Sequence, residues 1–216
     1  MSKFNKLYEE IIKKDHPIFK PASKEEIKRR KDTKFQRWFE DEIESGKITK
    51  NSDGTYDAKG GIFIDGMNLT KIPIHFNKVN GNFYCDKNKL TSLKGAPKKV
   101  DGDFICYNNK LTSLEGVPEK IDGHFNCHYN NLTSLEGSPK EVDGRFNCSW
   151  NNLTSLEGAP EKVNGSFYCY NNNLTSLKGT PKKVDGEFDC SDQKNGYKFT
   201  KEEVKAVCKV KRYINV

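Results

Sequence analysis

Residues 153–173 read LTSLEGAPEKVNGSFYCYNNN, and this 21-residue stretch recurs along most of the chain. Cys85, Cys106, Cys127, Cys148, Cys169 and Cys190 stand 21 positions apart. Leu69, Leu90, Leu111, Leu132, Leu153 and Leu174 keep the same spacing, as do Phe83, Phe104, Phe125, Phe146, Phe167 and Phe188. A fixed period of about 20–30 residues marks a solenoid, in which each unit buries its apolar face only against its neighbours. Solenoids generally bind other molecules rather than transform them.

Each regular unit opens on Val or Ile (Val79, Val100, Ile121, Val142, Val163, Val184), followed by a turn glycine (Gly81, Gly102, Gly123, Gly144, Gly165, Gly186). Next come the F-x-C strand, an asparagine, L-T-S-L, and a Gly-x-Pro segment such as Gly95 and Pro97. Strand alternation sends Phe and Cys inward and the residue between them outward. Pro97, Pro118, Pro139, Pro160 and Pro181 argue against a helix on the return side, because proline lacks the N–H and favours extended backbone. A degenerate first unit places Gly60, Ile62 and Ile64 21 positions before Gly81, Phe83 and Cys85. From Leu69 to Phe76 the pattern is irregular, with Pro73 displaced and Phe76 in its slot.

Outside the repeat, Phe4, Leu7, Tyr8, Ile11 and Ile12 follow the spacing of one helix face, which Pro17 and Pro21 end. Ser23 with Glu26 makes a capping box for a second helix carrying Ile27, Phe35, Trp38, Phe39 and Ile43. Thr33 with Gln36 offers another cap, so that stretch reads equally as two helices, with Gly46 as a C-terminal stop. Asn51-Ser52-Asp53-Gly54, flanked by Ile48 and Tyr56, reads as a hairpin turn. At the other end, Thr200 with Glu203, and Phe199 with Val204, form a capping box with a hydrophobic staple. The helix they start should bring Val204, Val207 and Cys208 over the last unit, and Gln193, where earlier units have Asn, reads as the repeat's end. The expected organisation is a helical cap over 1–52, a solenoid over 53–190 and a C-terminal cap over 191–216.

Only 34% of the 216 residues are hydrophobic and 31% are charged. The periodic Leu, Val and Phe nevertheless supply a continuous core, so disorder is not implied. Of the net charge of +7, residues 1–52 carry 14 basic and 10 acidic side chains, 53–190 carry 16 and 17, and 191–216 carry 7 and 3. The flanks are basic and the repeats neutral. MSKFNKLYEE lacks the apolar core of a secretory signal, and no apolar run approaches the length of a membrane span. Seven cysteines without such a signal point to a reducing compartment, and a cytoplasmic location is expected.

The unit V-x-G-x-F-x-C-x-x-N-x-L-T-S-L-x-G-x-P resembles the leucine-rich repeat, L-x-x-L-x-L-x-x-N-x-L. Val100, Phe104 and Cys106 fill its apolar slots, Asn109 the asparagine slot and Leu111 the closing leucine. Phe and Cys replace leucines but keep the slots apolar. The LTSLEG-type unit is also similar to leucine-rich-repeat proteins of large tailed bacteriophages and some bacteria. The resemblance implies a parallel β-sheet on a concave face; with the prolines and capping patterns above, the expected fold is a mainly β repeat solenoid with short non-helical returns, an α-helical N-terminal region and a C-terminal capping helix. It implies ligand binding on the concave sheet and does not imply an enzyme. A phage-encoded protein would act in the host cytoplasm.

The laddered cysteines read as core, since free Cys behaves as a small buried hydrophobe and no C-x2-C occurs. His124, Cys127 and His128 superficially have ligand spacing, but alternation sends the thiol inward and both imidazoles outward. Asn88, Asn109, Asn130, Asn151 and Asn172 read as a structural ladder whose amides satisfy backbone groups at the bend. Mixed charge on the return segments (Lys98-Lys99, Glu119-Lys120, Lys140-Glu141, Glu161-Lys162, Lys182-Lys183) reads as a solubilising face. No phosphate loop, nucleophile elbow, zinc-protease or dinucleotide motif occurs. His16 and His75 lie off the strand face, and Cys208, the one non-ladder cysteine, falls on the apolar stripe of the C-terminal helix.

The outward columns are where the units differ. Between Phe and Cys stand Tyr84, Ile105, Asn126, Asn147, Tyr168 and Asp189; before Phe stand Asn82, Asp103, His124, Arg145, Ser166 and Glu187. After Cys come Asp86 and Lys87, Tyr107 and Asn108, His128 and Tyr129, Ser149 and Trp150, then Tyr170 and Asn171. Aromatic anchors among adaptable amides are what protein-binding surfaces are enriched in. The expectation is a non-enzymatic, cofactor-free module that docks a protein through Tyr84, Tyr107, His124, Asn126, His128, Tyr129, Arg145, Asn147, Trp150, Tyr168 and Tyr170. Trp150 beside Tyr129 would be its hot spot. Two other roles compete: a nucleic-acid-associated protein using the basic flanks, and a virion or scaffold component. No membrane contact is expected.

Overall fold

The computed structural model describes residues 33–216, which divide into two compact units between Thr49 and Lys50. The first contains α1, Lys34–Glu44. Thr33 starts it, its Oγ1 accepting the Gln36 N–H at 3.2 Å, so the Thr33–Gln36 cap is realised. Ser45 donates its N–H to Asp41 O at 2.9 Å, and Gly46 then leaves the helix at φ +71°, where a side chain would strain the backbone. Phe35 and Phe39 are buried and stack at 5.8 Å. The helix expected over Phe4–Ile12 and the Ser23 cap lie outside the described residues.

The second unit opens with the Asn51–Gly54 turn, closed by Asn51 N–H to Thr55 O at 2.8 Å and Gly54 N–H to Asn51 O at 3.1 Å. Beyond it, the chain winds as a parallel β-solenoid of about six turns. Every turn contributes two short strands, one to each of two parallel sheets. The first sheet is built on the valine column, from Tyr56–Ala58 and Phe76–Val79 through Lys99–Val100 to Lys183–Val184. The second is built on the phenylalanine column, from Ile62–Phe63 and Phe83–Tyr84 to Phe188–Asp189. Register follows the period: Phe104 pairs with Phe125, and Val142 with Val163. The degenerate first unit obeys it too, Ile62 pairing with Phe83.

Side-chain alternation decides what is inside. Phe83 through Phe188 and Cys85 through Cys169 are fully buried, with Leu90, Leu93 and their equivalents behind them. Successive phenylalanine rings lie 5.2–5.8 Å apart, so each ring packs on the turn before and after it. Burying one such side chain contributes about 1.5–3 kcal/mol, and the repeat multiplies that term along the unit.

The valine sheet was not expected. From Lys99–Val100 to Lys183–Val184 its strands are two residues long, and a Lys-Val or Glu-Val dipeptide between a proline and a glycine shows no alternation to read. The glycine after it has a different role from a turn residue. A Cβ on Gly123 would lie 2.3 Å from Asp103 Oδ1, and one on Gly144 2.3 Å from His124 Nδ1. Asn82, Asp103, His124 and Ser166 each fold over the glycine of the next turn, and at Gly165 the backbone of Gly144 and Arg145 comes as close, so these glycines are required for space.

The asparagine column works as a backbone clamp. Asn130 Nδ2 donates to the carbonyls of Cys106, Cys127 and His128 at 3.1, 3.0 and 3.3 Å. Its Oδ1 accepts the Leu111 N–H at 3.0 Å. Gln193 makes the same set, to Cys169, Cys190 and Ser191, and accepts from Leu174. The ladder therefore runs through Gln193 rather than ending there.

The tail adds one more turn. Lys209–Val210 pairs with Lys183–Val184, and Ile214–Asn215 with Phe188–Asp189. The offset is 26 residues (209 − 183) instead of 21, and the extra length holds helix α2, Lys201–Val207. Its capping box is complete: Thr200 Oγ1 accepts from Glu203 N–H at 3.2 Å and Glu203 Oε2 from Thr200 N–H at 2.7 Å. Phe199, Val204 and Cys208 are buried, while Val207 is exposed.

Candidate functional site

The outward side of the phenylalanine sheet is built from four columns of side chains, and the backbone treats them differently. Two positions after each laddered cysteine, the chain turns into the left-handed region: Lys87, Asn108, Tyr129, Trp150, Asn171 and Asp192 all have φ between 50° and 55°. Asn and Asp tolerate this conformation, but a bulky aromatic there is an outlier. The turn exists because the asparagine that follows must point inward to its three carbonyls. Tyr129 and Trp150 therefore hold a strained position that asparagine fills in the adjacent turns.

Their rings stack at 4.8 Å and 8°, the spacing of neighbouring parallel strands. Both remain open to solvent, Tyr129 at 50% and Trp150 at 38% exposure. One column back, Tyr107 and His128 stack at 4.5 Å and 15°, and His128 meets Tyr129 edge-on at 5.7 Å. Four rings from three successive turns thus form one continuous aromatic patch. Lys87 Nζ lies 5.3 Å over the far face of this group, at Tyr107.

Hydrogen bonding fixes the two imidazoles in opposite tautomers. Asn126 Oδ1 accepts the His128 backbone N–H at 3.2 Å, so its 2.6 Å contact with His128 Nδ1 is a donated N–H, leaving Nε2 as the acceptor. Burial holds His128 below the ordinary imidazole range, so the ring is neutral at pH 7. His124 instead accepts the Arg145 N–H on Nδ1 at 2.8 Å and carries its proton on Nε2. The same tie recurs along that column, with Asn82 Oδ1 accepting from Asp103, Asp103 Oδ1 from His124 and Ser166 Oγ from Glu187.

The candidate residues consequently sort into three groups and two structural ties. Tyr107, His128, Tyr129 and Trp150 form the central patch. Tyr84 lies toward the first turns, its hydroxyl donating to Asp103 Oδ2 at 3.3 Å and its ring edge-on to Phe63 at 5.2 Å. Arg145 sits 5.2 Å over Tyr168, whose hydroxyl donates to Glu187 at 2.8 Å and whose ring lies 6.3 Å from Tyr170. Asn126 and Asn147 bond locally along their own turns: Asn147 Oδ1 accepts from Ser149 N–H at 3.1 Å and Oγ at 2.7 Å. His124 ties two turns together. Phe63, exposed at 44%, was missed, although it stands 21 positions before Tyr84 and so belongs to the same column.

The cysteines are closed to chemistry. All seven are free and buried, and desolvation raises every laddered thiol, Cys190 to about 12, with the non-ladder Cys208 at about 11. Such thiols carry almost no thiolate at pH 7, and thiolate is the reactive form. Asp86 is also buried, and desolvation raises its carboxyl, with Lys87 Nζ 3.8 Å away. Among the described residues no three His, Cys, Asp or Glu side chains are grouped to hold a metal, and no helix is long and apolar enough to cross a membrane.

Comparison of the chain with protein-family models, with curated proteins and with solved structures returned no match.

Proposed function

We propose that this protein is a binding module that docks another protein on the outward side of its phenylalanine sheet, centred on Tyr107, His128, Tyr129 and Trp150. One observation carries the reading: the strained left-handed column holds an exposed, stacked Tyr129–Trp150 pair at the two turns where asparagine would cost nothing. A repeat scaffold that keeps such residues gains nothing in folding from their exposed edges. Exposed Trp and Tyr are the anchors that interfaces concentrate.

The partner surface that fits is apolar and weakly charged. In the left-handed column the pair is flanked by Asn108 and Asn171, and along the chain by Ser149, Asn131 and Asn152. The leucine-rich-repeat reading, with this face on the concave side, belongs to the same proposal. So does a role as a phage accessory protein that occupies a host protein in a reducing cytoplasm, a setting that seven free thiols suit.

The test is affinity capture with Tyr129→Asn/Trp150→Asn, a pair chosen because asparagine already fills this backbone position in adjacent turns. Proteins captured by the wild type and by Lys140→Ala, on the charged return face, should be lost from the double variant. Equal recovery from all three would sink the assignment. Affinity for the captured partner should change less than about threefold between 50 and 500 mM salt, in contrast to the steep loss of phosphate contacts.

A further inference from the structure

The last turn of the solenoid supplies the edge strand of both sheets, Lys209–Val210 and Ile214–Asn215. In the phenylalanine sheet every inter-turn bond of one type points the same way: Phe104 N–H to His124 O at 2.8 Å, Phe167 N–H to Glu187 O at 2.7 Å, Phe188 N–H to Tyr213 O at 2.8 Å. A second series runs from Cys106 N–H to Asn126 O and ends with Cys190 N–H to Asn215 O at 3.0 Å. Extended by one turn, these series direct the N–H groups of Ile214 and Val216 off the edge, where no strand lies among the described residues. The valine sheet ends in the same alternation: Lys211 N–H donates back to Val184 O at 3.0 Å, and Val210, which pairs with Val184, stands in its place at the edge.

Charge changes at the same edge. Residues 198–216 hold six basic side chains (Lys198, Lys201, Lys205, Lys209, Lys211, Arg212) and two acidic ones (Glu202, Glu203), 6 − 2 = +4. The repeats 53–190 sum to 16 − 17 = −1. Glu203 is committed to the helix cap, and Lys211 pairs with Asp185 at 3.1 Å. Lys205, Lys209 and Arg212 are exposed. Tyr213, 55% exposed with Lys201 Nζ 5.2 Å over its ring, and Val207, 47% exposed, add apolar surface.

We propose that this C-terminal edge docks an extended, acidic segment of a partner protein, which adds to the phenylalanine sheet as its next strand. Strand addition satisfies open backbone groups and reads side chains at alternate positions. A parallel edge presents N–H and C=O groups in alternation, which an added strand of any sequence can satisfy, and here the surrounding side chains are cationic, so carboxylates on that strand complement them. A second copy of the same edge would bring like charges together. Lysines that only keep an edge from self-pairing would bind nothing, and that is the competing outcome. The site is separate from the aromatic patch and stands or falls without it.

The test uses the full chain and fluorescence anisotropy with three labelled probes: a ten-residue Thr-Glu-Val-Glu repeat, its Thr-Lys-Val-Lys counterpart, and an oligo-dT of similar charge. The acidic peptide should bind and the basic one should not. Lys209→Glu/Arg212→Glu, at exposed positions, should weaken acidic-peptide binding by about tenfold. Val216→Pro, which removes an outward N–H and no bond within the sheet, should weaken it several-fold while leaving circular dichroism unchanged. No binding of the acidic peptide, equal binding of the basic one, or indifference to Val216→Pro would overturn the proposal. Tighter binding of oligo-dT, insensitive to Val216→Pro, would reassign the edge to nucleic acid.

Discussion

At Tyr129 and Trp150 two energies oppose each other. A bulky residue in a left-handed turn costs of the order of 1–3 kcal/mol, and a stacked aromatic pair returns about 0.5–1.5 kcal/mol. Replacing both with asparagine removes two strained residues and one stack. Stability of Tyr129→Asn/Trp150→Asn is therefore expected to equal or exceed that of the wild type by chemical denaturation, with any loss below about 1 kcal/mol. A larger loss would mean that the stack holds the fold and is not surplus to it. Gly123 makes the opposite case. A methyl there would meet Asp103 Oδ1 at 2.3 Å and the Gly102 carbonyl carbon at 2.7 Å, backbone that cannot move without breaking register. Gly123→Ala should cost about 1–3 kcal/mol by overpacking, although its φ is not one that demands glycine. Paired with Asp103→Gly, which clears the carboxylate but not the backbone contact, only part of the loss should return.

The elements differ in how far the sequence exposes them. The F-x-C strands were legible because Phe104, Ile105 and Cys106 alternate in, out, in, and because a strict period allows only one register. The valine strands were not, since a single apolar residue beside Lys120 or Glu141 carries no alternation. The left-handed column was hidden by its own occupants: Asn108, Asn171 and Asp192 signal such a turn, but Tyr129 and Trp150 do not. The aromatic patch was therefore found as residue types, and its strain only as geometry. The asparagine clamp was legible in kind, and its bonds now give it a magnitude. Asn130→Ala leaves three carbonyls and the Leu111 N–H without a side-chain partner. Each buried polar group left unsatisfied costs about 1–3 kcal/mol, part of which water entering the space vacated by the amide recovers. A loss of about 2 kcal/mol in thermal or chemical unfolding is expected. Unchanged stability would mean that the clamp is redundant with the sheets.

Across the whole molecule, repetition turns a small property of one residue into a large one. Each laddered thiol is raised by desolvation in the fold, whereas an unfolded cysteine ionises near 8.5. A group whose folded pKa is raised contributes its stability below the unfolded pKa and loses it as pH rises toward the folded one. Above about pH 8.5 the unfolded chain has released protons that the native chain still holds, so each thiol subtracts up to about 1.4 kcal/mol per pH unit. Six thiols together approach roughly 8 kcal/mol per pH unit, against a total stability of about 5–15 kcal/mol for an ordinary domain. The protein should accordingly melt on alkaline titration between about pH 9.5 and 10.5, well below the range where the native thiols would ionise. Circular dichroism from pH 7 to 11 in the presence of a reductant checks this. Replacing Cys127 and Cys148 with Ala should flatten the slope by about one third, two thiols of six, even though the small cavities lower stability at pH 7. A slope indifferent to those substitutions would show that other titrating groups, and not the buried thiol ladder, set the alkaline limit.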